Sequence, residues 1–167
     1  MSETRDRIDR HIEANPGVHF RELTRALDLA TGQVQYHLKR LESVTEQRCN
    51  GRTHYYPAGY GPWERRTLAY LRRETARDVV VLLLAAGQAS PAAVTEELGV
   101  ARSTLEHHLE GLVSAGVVAK RRAGNRVTLS LRRPAATAGL LRTVEPSFAG
   151  RLTDRFERLL DQLLEGT

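Results

Sequence analysis

The stretch Ala30–Leu41, ATGQVQYHLKRL, recurs in altered form 71 residues later as Ala101–Leu112, ARSTLEHHLEGL. At this offset the apolar positions of the two stretches coincide, and so does one polar position, because His37 matches His108. In both stretches the apolar residues are three and four positions apart, which is the spacing of one face of an α-helix. Self-similarity at a fixed offset predicts that one supersecondary unit occurs twice in the chain.

The first copy is expected to contain three helices and then a hairpin. The expected elements are a helix over Thr4–Ala14, a break at Asn15–Gly17, a short helix over Phe20–Leu27, a turn at Asp28–Ala30 and a third helix over 31–43. Pro16 ends the first helix because proline cannot continue one. The segments Val44–Cys49 and Arg52–Pro57 flank Asn50-Gly51, a dipeptide that favours a type I′ hairpin turn because both residues accept a positive φ.

The second copy repeats this order. The expected elements are a helix over Thr75–Ala86 closed by Gly87, a short helix that Ser90 caps and that runs from Pro91 to Leu98, a turn at Gly99, a third helix over Arg102–Ser114 and a hairpin of Val117–Arg122 and Arg126–Leu131. Three helices followed by a hairpin is the order of a winged helix-turn-helix. The expected fold class is therefore mainly α with small β-hairpin wings (α+β), as two tandem winged helix-turn-helix modules plus a C-terminal helix.

Four segments follow from this interpretation. They are an N-terminal module over 1–58, a linker and connecting helix over 59–74, a C-terminal module over 75–133 and a C-terminal helical extension over 134–167. In the extension, apolar residues from Phe148 to Leu164 mark one helix face. Such a face either packs on the modules of its own chain or forms a homodimer with a second copy, and both alternatives stay open.

The charge of the chain favours a polyanionic partner. The 167 residues carry a net charge of +5, which suits nucleic acid or an acidic membrane surface. Lysine occurs only at Lys39 and Lys120, so arginine supplies the other positive charges. Arginine suits bidentate contacts to phosphate and guanine, although a GC-rich genome also produces this bias.

Two features of the sequence favour the cytoplasm. The single cysteine, Cys49, excludes an internal disulfide and fits a reducing compartment. The polar start of the chain lacks the apolar region of a signal peptide, and the longest apolar run, Val79–Ala86, is too short to cross a bilayer. We therefore expect no membrane association.

The third helix of each copy is the expected DNA-reading element, because the second helix of a helix-turn-helix enters the major groove. In the first copy its expected contact residues are Thr31, Gln33, Gln35, Tyr36, Lys39 and Arg40. Glutamine can read adenine, tyrosine can bond a phosphate or stack, and Lys39 and Arg40 can neutralise phosphates. The alternative for each residue alone is an ordinary solvated helix face.

In the second copy the expected contact residues are Arg102, Ser103, Thr104 and His107. Glu106 and Glu110 share this helix, and a carboxylate repels phosphate unless it accepts a hydrogen bond from cytosine. The second helix is therefore expected to be the poorer reader of DNA.

The two wings carry clustered cations. Arg48 and Arg52 lie in the first wing, together with His54, and the second wing carries Lys120, Arg121, Arg122 and Arg126. A basic hairpin beside a groove-entering helix can contact phosphates or the minor groove. Arginine on an edge hairpin also prevents sheet-to-sheet aggregation, so part of this charge has a second explanation.

Enzymatic and metal-binding motifs are missing from the sequence. It contains no Walker loop, GxSxG, HExxH or CxxC pattern, so no catalytic activity and no cofactor are expected. His11, His19 and His107 lack companion ligands at metal-site spacing, and no metal is expected. His37 and His108 are expected to be structural histidines with satisfied hydrogen bonds. A redox-gated repressor acting through Cys49 is a weaker alternative.

Several segments also resemble a known group of proteins. Ile12–Leu23, Thr31–Leu41 and Thr53–Pro57 resemble archaeal winged-helix transcriptional regulators, and Gly99–Leu109 looks like the helix-turn-helix of the ArsR/MarR-like superfamily. Pro146–Glu157 is similar to the C-terminal helix of tandem winged-helix proteins from the same archaeal group. The resemblance implies a transcriptional regulator that binds double-stranded DNA. The cysteine pairs of metal-sensing members are missing, so their effector chemistry is not implied.

Winged helices also serve as protein-interaction modules. The competing hypothesis is therefore a module that docks on a transcription or replication factor. Glu106 and Glu110 on the second recognition helix favour this alternative.

Overall fold

The chain divides after Arg72 into two units, and both contain three helices followed by a hairpin. The computed structural model describes residues 2–144. The apolar stripe expected from Phe148 to Leu164, and the homodimer that it suggested, lie outside these residues. The division into four segments stays a prediction, although the helix expected within 59–74 belongs to the first unit.

The first unit follows the expected order. Its elements are α1 (Glu3–Ala14), β1 (Val18–His19), α2 (Phe20–Leu27), α3 (Thr31–Leu38), β2 (Val44–Cys49), β3 (Arg52–Pro57) and α4 (Pro62–Leu71). The hairpin has the predicted bounds, and its turn has the predicted geometry, since Asn50 has φ 51° and Gly51 has φ 74°. This is the pair of positive φ angles that a type I′ turn requires.

The core of the first unit lies beneath its recognition helix, α3. Ile8, Ile12, Leu23 and Val34 are fully buried in one cluster, against which Leu38 and Leu41 are partly buried. Each such aliphatic side chain contributes about 1.5–3 kcal/mol when it leaves water. One face of α3 is thereby fixed inward.

The second unit repeats the architecture. Its elements are α5 (Glu74–Ala86), β4 (Gln88–Ala89), α6 (Pro91–Leu98), α7 (Arg102–Ser114), β5 (Val118–Ala123), β6 (Arg126–Leu131) and α8 (Pro134–Val144). The predicted bounds of α7 are confirmed. Ser90 caps α6 as predicted, because its Oγ accepts a hydrogen bond from the Ala93 amide at 3.1 Å.

Four apolar positions are fully buried in both copies. At the offset of 71, the fully buried pairs are Ile8 and Val79, Ile12 and Leu83, Leu23 and Val94, and Val34 and Leu105. The turn before each recognition helix is equivalent too, since Asp28 has φ 52° and Gly99 has φ 64°. The predicted repeat and fold class are confirmed.

Each hairpin gains a third strand that the sequence did not predict. The strand orders are β1-β3-β2 and β4-β6-β5, and all pairs are antiparallel. Val18 pairs with Tyr55 in the first sheet, and Ala89 pairs with Leu129 in the second. Strands of two residues are too short to show alternation, so only their pairing reveals them.

The recognition helix α3 ends at Leu38, five residues before the predicted end. The chain then tightens, since Arg40 N–H bonds to the His37 carbonyl oxygen at 3.0 Å. Val118 lies 74 residues after Val44, although the recognition helices start only 71 residues apart. The first copy therefore has three fewer residues from the start of its recognition helix to its wing. Its helix ends early, which leaves five residues to connect α3 to β2, whereas three connect α7 to β5.

His54 is not a surface cation of the first wing, so the expectation for this residue was wrong. It is 3% exposed, and its Nδ1 donates a hydrogen bond to the Gly17 carbonyl oxygen at 2.6 Å. This hydrogen bond to the residue that precedes β1 holds the imidazole in the interior of the unit. Over residues 2–144, the structure contains no helix with the length and hydropathy needed to cross a membrane.

Two glycines with positive φ test how the first unit is packed. A Cβ on Gly17, at φ 89°, would lie 3.2 Å from the Arg72 Cδ, whereas a Cβ on Gly51 would meet no atom within 4 Å. Gly51→Ala should cost about 1 kcal/mol through backbone strain alone. Gly17→Ala should cost about 3 kcal/mol, because strain and crowding add.

The free energy of unfolding of each variant is measured by urea titration, followed by the fluorescence of Trp63. This residue is the only tryptophan of the chain, and it lies in the same unit as both glycines. Equal free energies of unfolding for the two variants would contradict the close packing at Gly17.

Candidate nucleic-acid interface

Just after the end of α3, an arginine is held over an aromatic ring of the exposed helix face. Tyr36 is 52% exposed, and the guanidinium carbon of Arg40 lies 3.6 Å from the centroid of its ring. The Arg40 Nη1 also donates a hydrogen bond to the Tyr36 carbonyl oxygen at 2.8 Å. A cation–π contact and a hydrogen bond together restrict the arginine to one orientation on the outer surface of the helix.

The other predicted residues of this helix are also exposed. Thr31, Gln33, Gln35 and Lys39 all lie on the solvent side. The Gln33 Oε1 accepts a hydrogen bond from the Ala30 amide at 3.2 Å, so this side chain caps the start of the helix. Gln35 makes no side-chain hydrogen bond to a described residue, which leaves its amide available to a base edge.

The first wing places one arginine beside the start of α2. Arg48 and Arg52 are both exposed, and the Arg52 Nη1 lies 3.5 Å from the His19 Nε2. An open cleft of about 340 Å³ separates the wing tip from α2. Its lining residues are His19, Phe20, Arg21, Gly51, Arg52 and Thr53.

His19 connects this cleft to a charged cluster. Its Nδ1 accepts a hydrogen bond from the Glu22 amide at 3.4 Å, and its Nε2 lies 2.9 Å from the Glu22 carboxylate, which also pairs with Arg72. Burial lowers the pKa of His19, and the neighbouring Arg52 and Arg72 act in the same direction against the carboxylate. The imidazole is therefore held in its neutral form as the cap of α2.

The exposed face of α7 has a different charge arrangement. Arg102, Ser103, Thr104 and His107 are exposed as predicted. The Glu106 carboxylate, however, accepts hydrogen bonds from the Arg102 Nε at 2.9 Å and from the Lys120 Nζ at 3.3 Å. The hydrogen bond with Arg102 is the main reason why the pKa of Glu106 is lowered. Two predicted phosphate-binding cations thus already face a carboxylate.

The tip of the second wing carries the remaining predicted cations. Arg121, Arg122 and Arg126 are exposed, and none of them pairs with a carboxylate within residues 2–144. Arg121 and Arg122 are adjacent on β5, so their side chains point to opposite faces of the hairpin. The tip therefore presents positive charge on both faces.

A second cleft lies at the equivalent position of the second unit. Its volume is about 450 Å³, and its lining residues are Ser90, Pro91, Ala92, Arg102, Asn125, Arg126, Val127 and Thr128. Ser90 corresponds to His19 at the offset of 71, and Arg126 corresponds to Arg52 at the offset of 74. The sequence-based prediction missed both clefts. Applying these two offsets to the wings would have shown that an arginine recurs at this position.

His37 and His108 lie at equivalent positions of α3 and α7, and both are partly buried. His37 has a buried Nδ1 with no hydrogen-bond partner among the described residues, so the predicted satisfied state is wrong for this residue. Burial, and then the neighbouring His107 and Arg73, lower the pKa of His108.

Within residues 2–144, no three His, Cys, Asp or Glu side chains are placed to hold a metal ion. Cys49 is a half-buried cysteine at the end of β2 that forms no disulfide.

Two family models match this chain in succession. A model described as an N-terminal HTH domain matches residues 2–68, and a model described as a helix-turn-helix domain matches residues 71–121. An uncharacterized HTH-type transcriptional regulator of Methanocaldococcus jannaschii is 30% identical over an alignment of 133 residues, and the match covers 76% of this chain and 33% of the relative. The chain thus spans about a third of the length of that curated relative.

Three solved structures show a partial likeness to this chain. Reduced HlyU from Vibrio cholerae is 21% identical with a TM-score of 0.44, and the match covers 50% of this chain and 88% of that one. The transcriptional repressor BigR from Xylella fastidiosa is 23% identical with a TM-score of 0.43, covering 48% and 83%. An ArsR-like transcriptional regulator from Rhodococcus sp. RHA1 is 23% identical with a TM-score of 0.40, covering 60% and 92%. At these low scores, the fold assignment depends on this chain's own helices and strands.

The histidine cap predicts how stability depends on pH. The pKa of His19 and that of His11, which is lowered by burial and then by Arg72, lie below 6.5 in the folded protein. The unfolded chain therefore binds protons more readily, and the free energy of unfolding should decrease as the pH falls below 6.5. Trp63 fluorescence in urea titrations at several pH values measures this decrease.

A substitution separates the contribution of His19. Asparagine also caps helices, so His19→Asn should retain α2 while reducing the decrease at low pH. His11→Asn should remove the other contribution. If both variants kept the full pH dependence, the assignment to these two imidazoles would be wrong.

Proposed function

We propose that this chain, a tandem winged helix-turn-helix protein, binds duplex DNA and regulates transcription. The observation that carries the proposal is a recurrence: in both units an exposed recognition helix lies beside a wing whose arginine, Arg52 or Arg126, lines a cleft at the start of the preceding helix. The two helix-turn-helix matches and the relative named as an HTH-type transcriptional regulator support this function.

The first module is the main reader in this proposal. Its α3 is short and polar on its outer face, which suits insertion into a major groove about 12 Å wide. In this proposal the exposed Gln35 contacts a base edge, whereas Lys39 and Arg40 follow it after the end of the helix and contact phosphates. The stacked orientation of Arg40 on Tyr36 reduces the entropy lost when the guanidinium meets a phosphate.

The wings position the modules along the DNA backbone. Arg52 and Arg126 contact phosphates from their clefts, and Arg121 and Arg122 reach the backbone or minor groove on either side of the second wing tip. Contacts of this kind supply affinity without sequence preference.

Other expectations of the sequence remain predictions. They are a cytoplasmic location, the absence of catalytic activity and a homodimer through the C-terminal helix. The last of these requires residues outside the described range.

A protein-docking function is the second candidate, and one surface favours it. An open groove of about 610 Å³ runs beside α7, with Leu109 and Val113 among apolar lining residues and with Glu106 and Glu110 among polar ones. Such a groove suits a basic amphipathic segment of another regulator. Recovery of one protein partner, with no DNA retained, from a pull-down with the purified chain would favour docking over DNA binding.

The dependence of binding on salt tests the DNA function. After selection of duplexes from a randomised library, the logarithm of the affinity should fall with the logarithm of the salt concentration by about 0.9 per neutralised phosphate. The double variant Lys39→Ala with Arg40→Ala should weaken binding to all duplexes and reduce this slope by about 1.8. Fluorescence anisotropy between roughly 0.05 and 0.3 M salt measures both effects. Over this range the Debye length falls from about 14 Å to about 6 Å.

A matched control removes a cation elsewhere. Arg10 is exposed on α1 and lies outside the predicted interface, so Arg10→Ala should leave the slope unchanged. A flat salt response of the unmodified protein would refute the proposed function.

The two glutamines of α3 should differ in their effects. Gln35→Ala should relax the base preference at one position of the selected site by about 1–3 kcal/mol, because its amide is available to a base. Gln33→Ala should retain that preference, since its side chain caps the helix. Sequencing of the duplexes selected by each variant measures the difference, and identical base preferences would contradict the assignment.

A further inference from the structure

A carboxylate lies between the two cations on the DNA-facing side of the second module. Glu106 is on α7, one turn after Arg102, and it also reaches Lys120 on β5. The three side chains are between 32% and 57% exposed, so they lie at the surface where a phosphate would approach. One carboxylate thereby connects the recognition helix to the wing.

The first module lacks this arrangement at the equivalent positions. At the offset of 71, Glu106 corresponds to Gln35 and Arg102 corresponds to Thr31. At the offset of 74 that relates the wings, Lys120 corresponds to Glu46. Where the second module has a cation, a carboxylate and a second cation, the first module thus has the neutral Thr31 and Gln35 and the carboxylate of Glu46.

We infer that Glu106 restrains DNA binding by the second module, because it holds Arg102 and Lys120 in ion pairs that a phosphate must displace. This inference rests on the proposed function. While both cations face the carboxylate, they release few counterions from DNA. The second module then adds less affinity than its number of cations suggests, and the first module sets the position of the protein on the duplex.

The physical basis is competition at short range. A phosphate that approaches Arg102 or Lys120 comes within a few ångströms of the Glu106 carboxylate, which is well inside the screening length of about 8 Å at physiological salt. The phosphate must therefore overcome repulsion as well as replace an existing hydrogen bond. The hydrogen bond with Arg102 lowers the pKa of Glu106, so the carboxyl group stays charged at neutral pH.

Glu106→Gln tests the inference with almost no change of shape. Arg102 and Lys120 become available to phosphates, so affinity for a selected duplex should rise on the order of tenfold at 0.15 M salt, and the salt slope should steepen by up to about 1.8. Anisotropy titrations with the full chain measure both quantities. Circular dichroism checks folding, which an exposed glutamine in a helix preserves.

Glu110→Gln is the matched control. Glu110 is exposed on the same helix and makes no ion pair with a described residue, and the substitution changes the net charge equally. It should raise affinity less and leave the slope unchanged. The double variant Glu106→Gln with Lys120→Gln should lose about half of the steepening, because one released cation is then absent.

The outcomes separate this inference from the function on which it rests. If Glu106→Gln and Glu110→Gln behave alike, the restraint is refuted while DNA binding stands. Weaker binding by Glu106→Gln, which a carboxylate accepting a hydrogen bond from cytosine would produce, also refutes it. If the unmodified protein binds no duplex, the proposed function fails first.

Discussion

Burial of one apolar face of each recognition helix is the constraint on which the rest of the structure depends. Val34 in the first unit and Leu105 in the second are fully buried at equivalent positions. Since helix positions three and four apart share a face, fixing these residues inward turns the opposite face toward solvent. The exposed side chains of α3 and α7 are consequences of this packing, and so is their position beside the wings.

The same scaffold carries two different surface electrostatics. In the first unit, Arg40 is held on the ring of Tyr36, and no carboxylate pairs with it among the described residues. In the second, Glu106 neutralises cations from two elements. Exposed positions contribute little to stability, so their charges can differ between copies while the core positions stay alike. A duplicated fold therefore does not imply a duplicated strength of binding.

The length of the connection to the wing also distinguishes the units. From the start of the recognition helix to the start of the wing, the first unit has three fewer residues than the second, and α3 is eight residues long where α7 has thirteen. Both hairpins nevertheless place an arginine at the equivalent cleft: Arg52 lies beside the start of α2, and Arg126 lies beside the start of α6. The wing position is thus maintained by strand pairing and core packing, while the length of the helix adjusts.

Local patterns in the sequence were sufficient for the features that depend on neighbours along the chain. Helical spacing identified α7 to the residue, and Asn50-Gly51 identified the first hairpin, because such preferences act over a few residues. Only the tertiary structure determined which distant groups meet. The short strands β1 and β4 are defined only by their pairing with β3 and β6. The buried His54 forms a hydrogen bond with a carbonyl group 37 residues away, and Glu106 on α7 pairs with Lys120 on β5. Contacts of this kind leave no periodic signal, since they depend on how the chain closes in space.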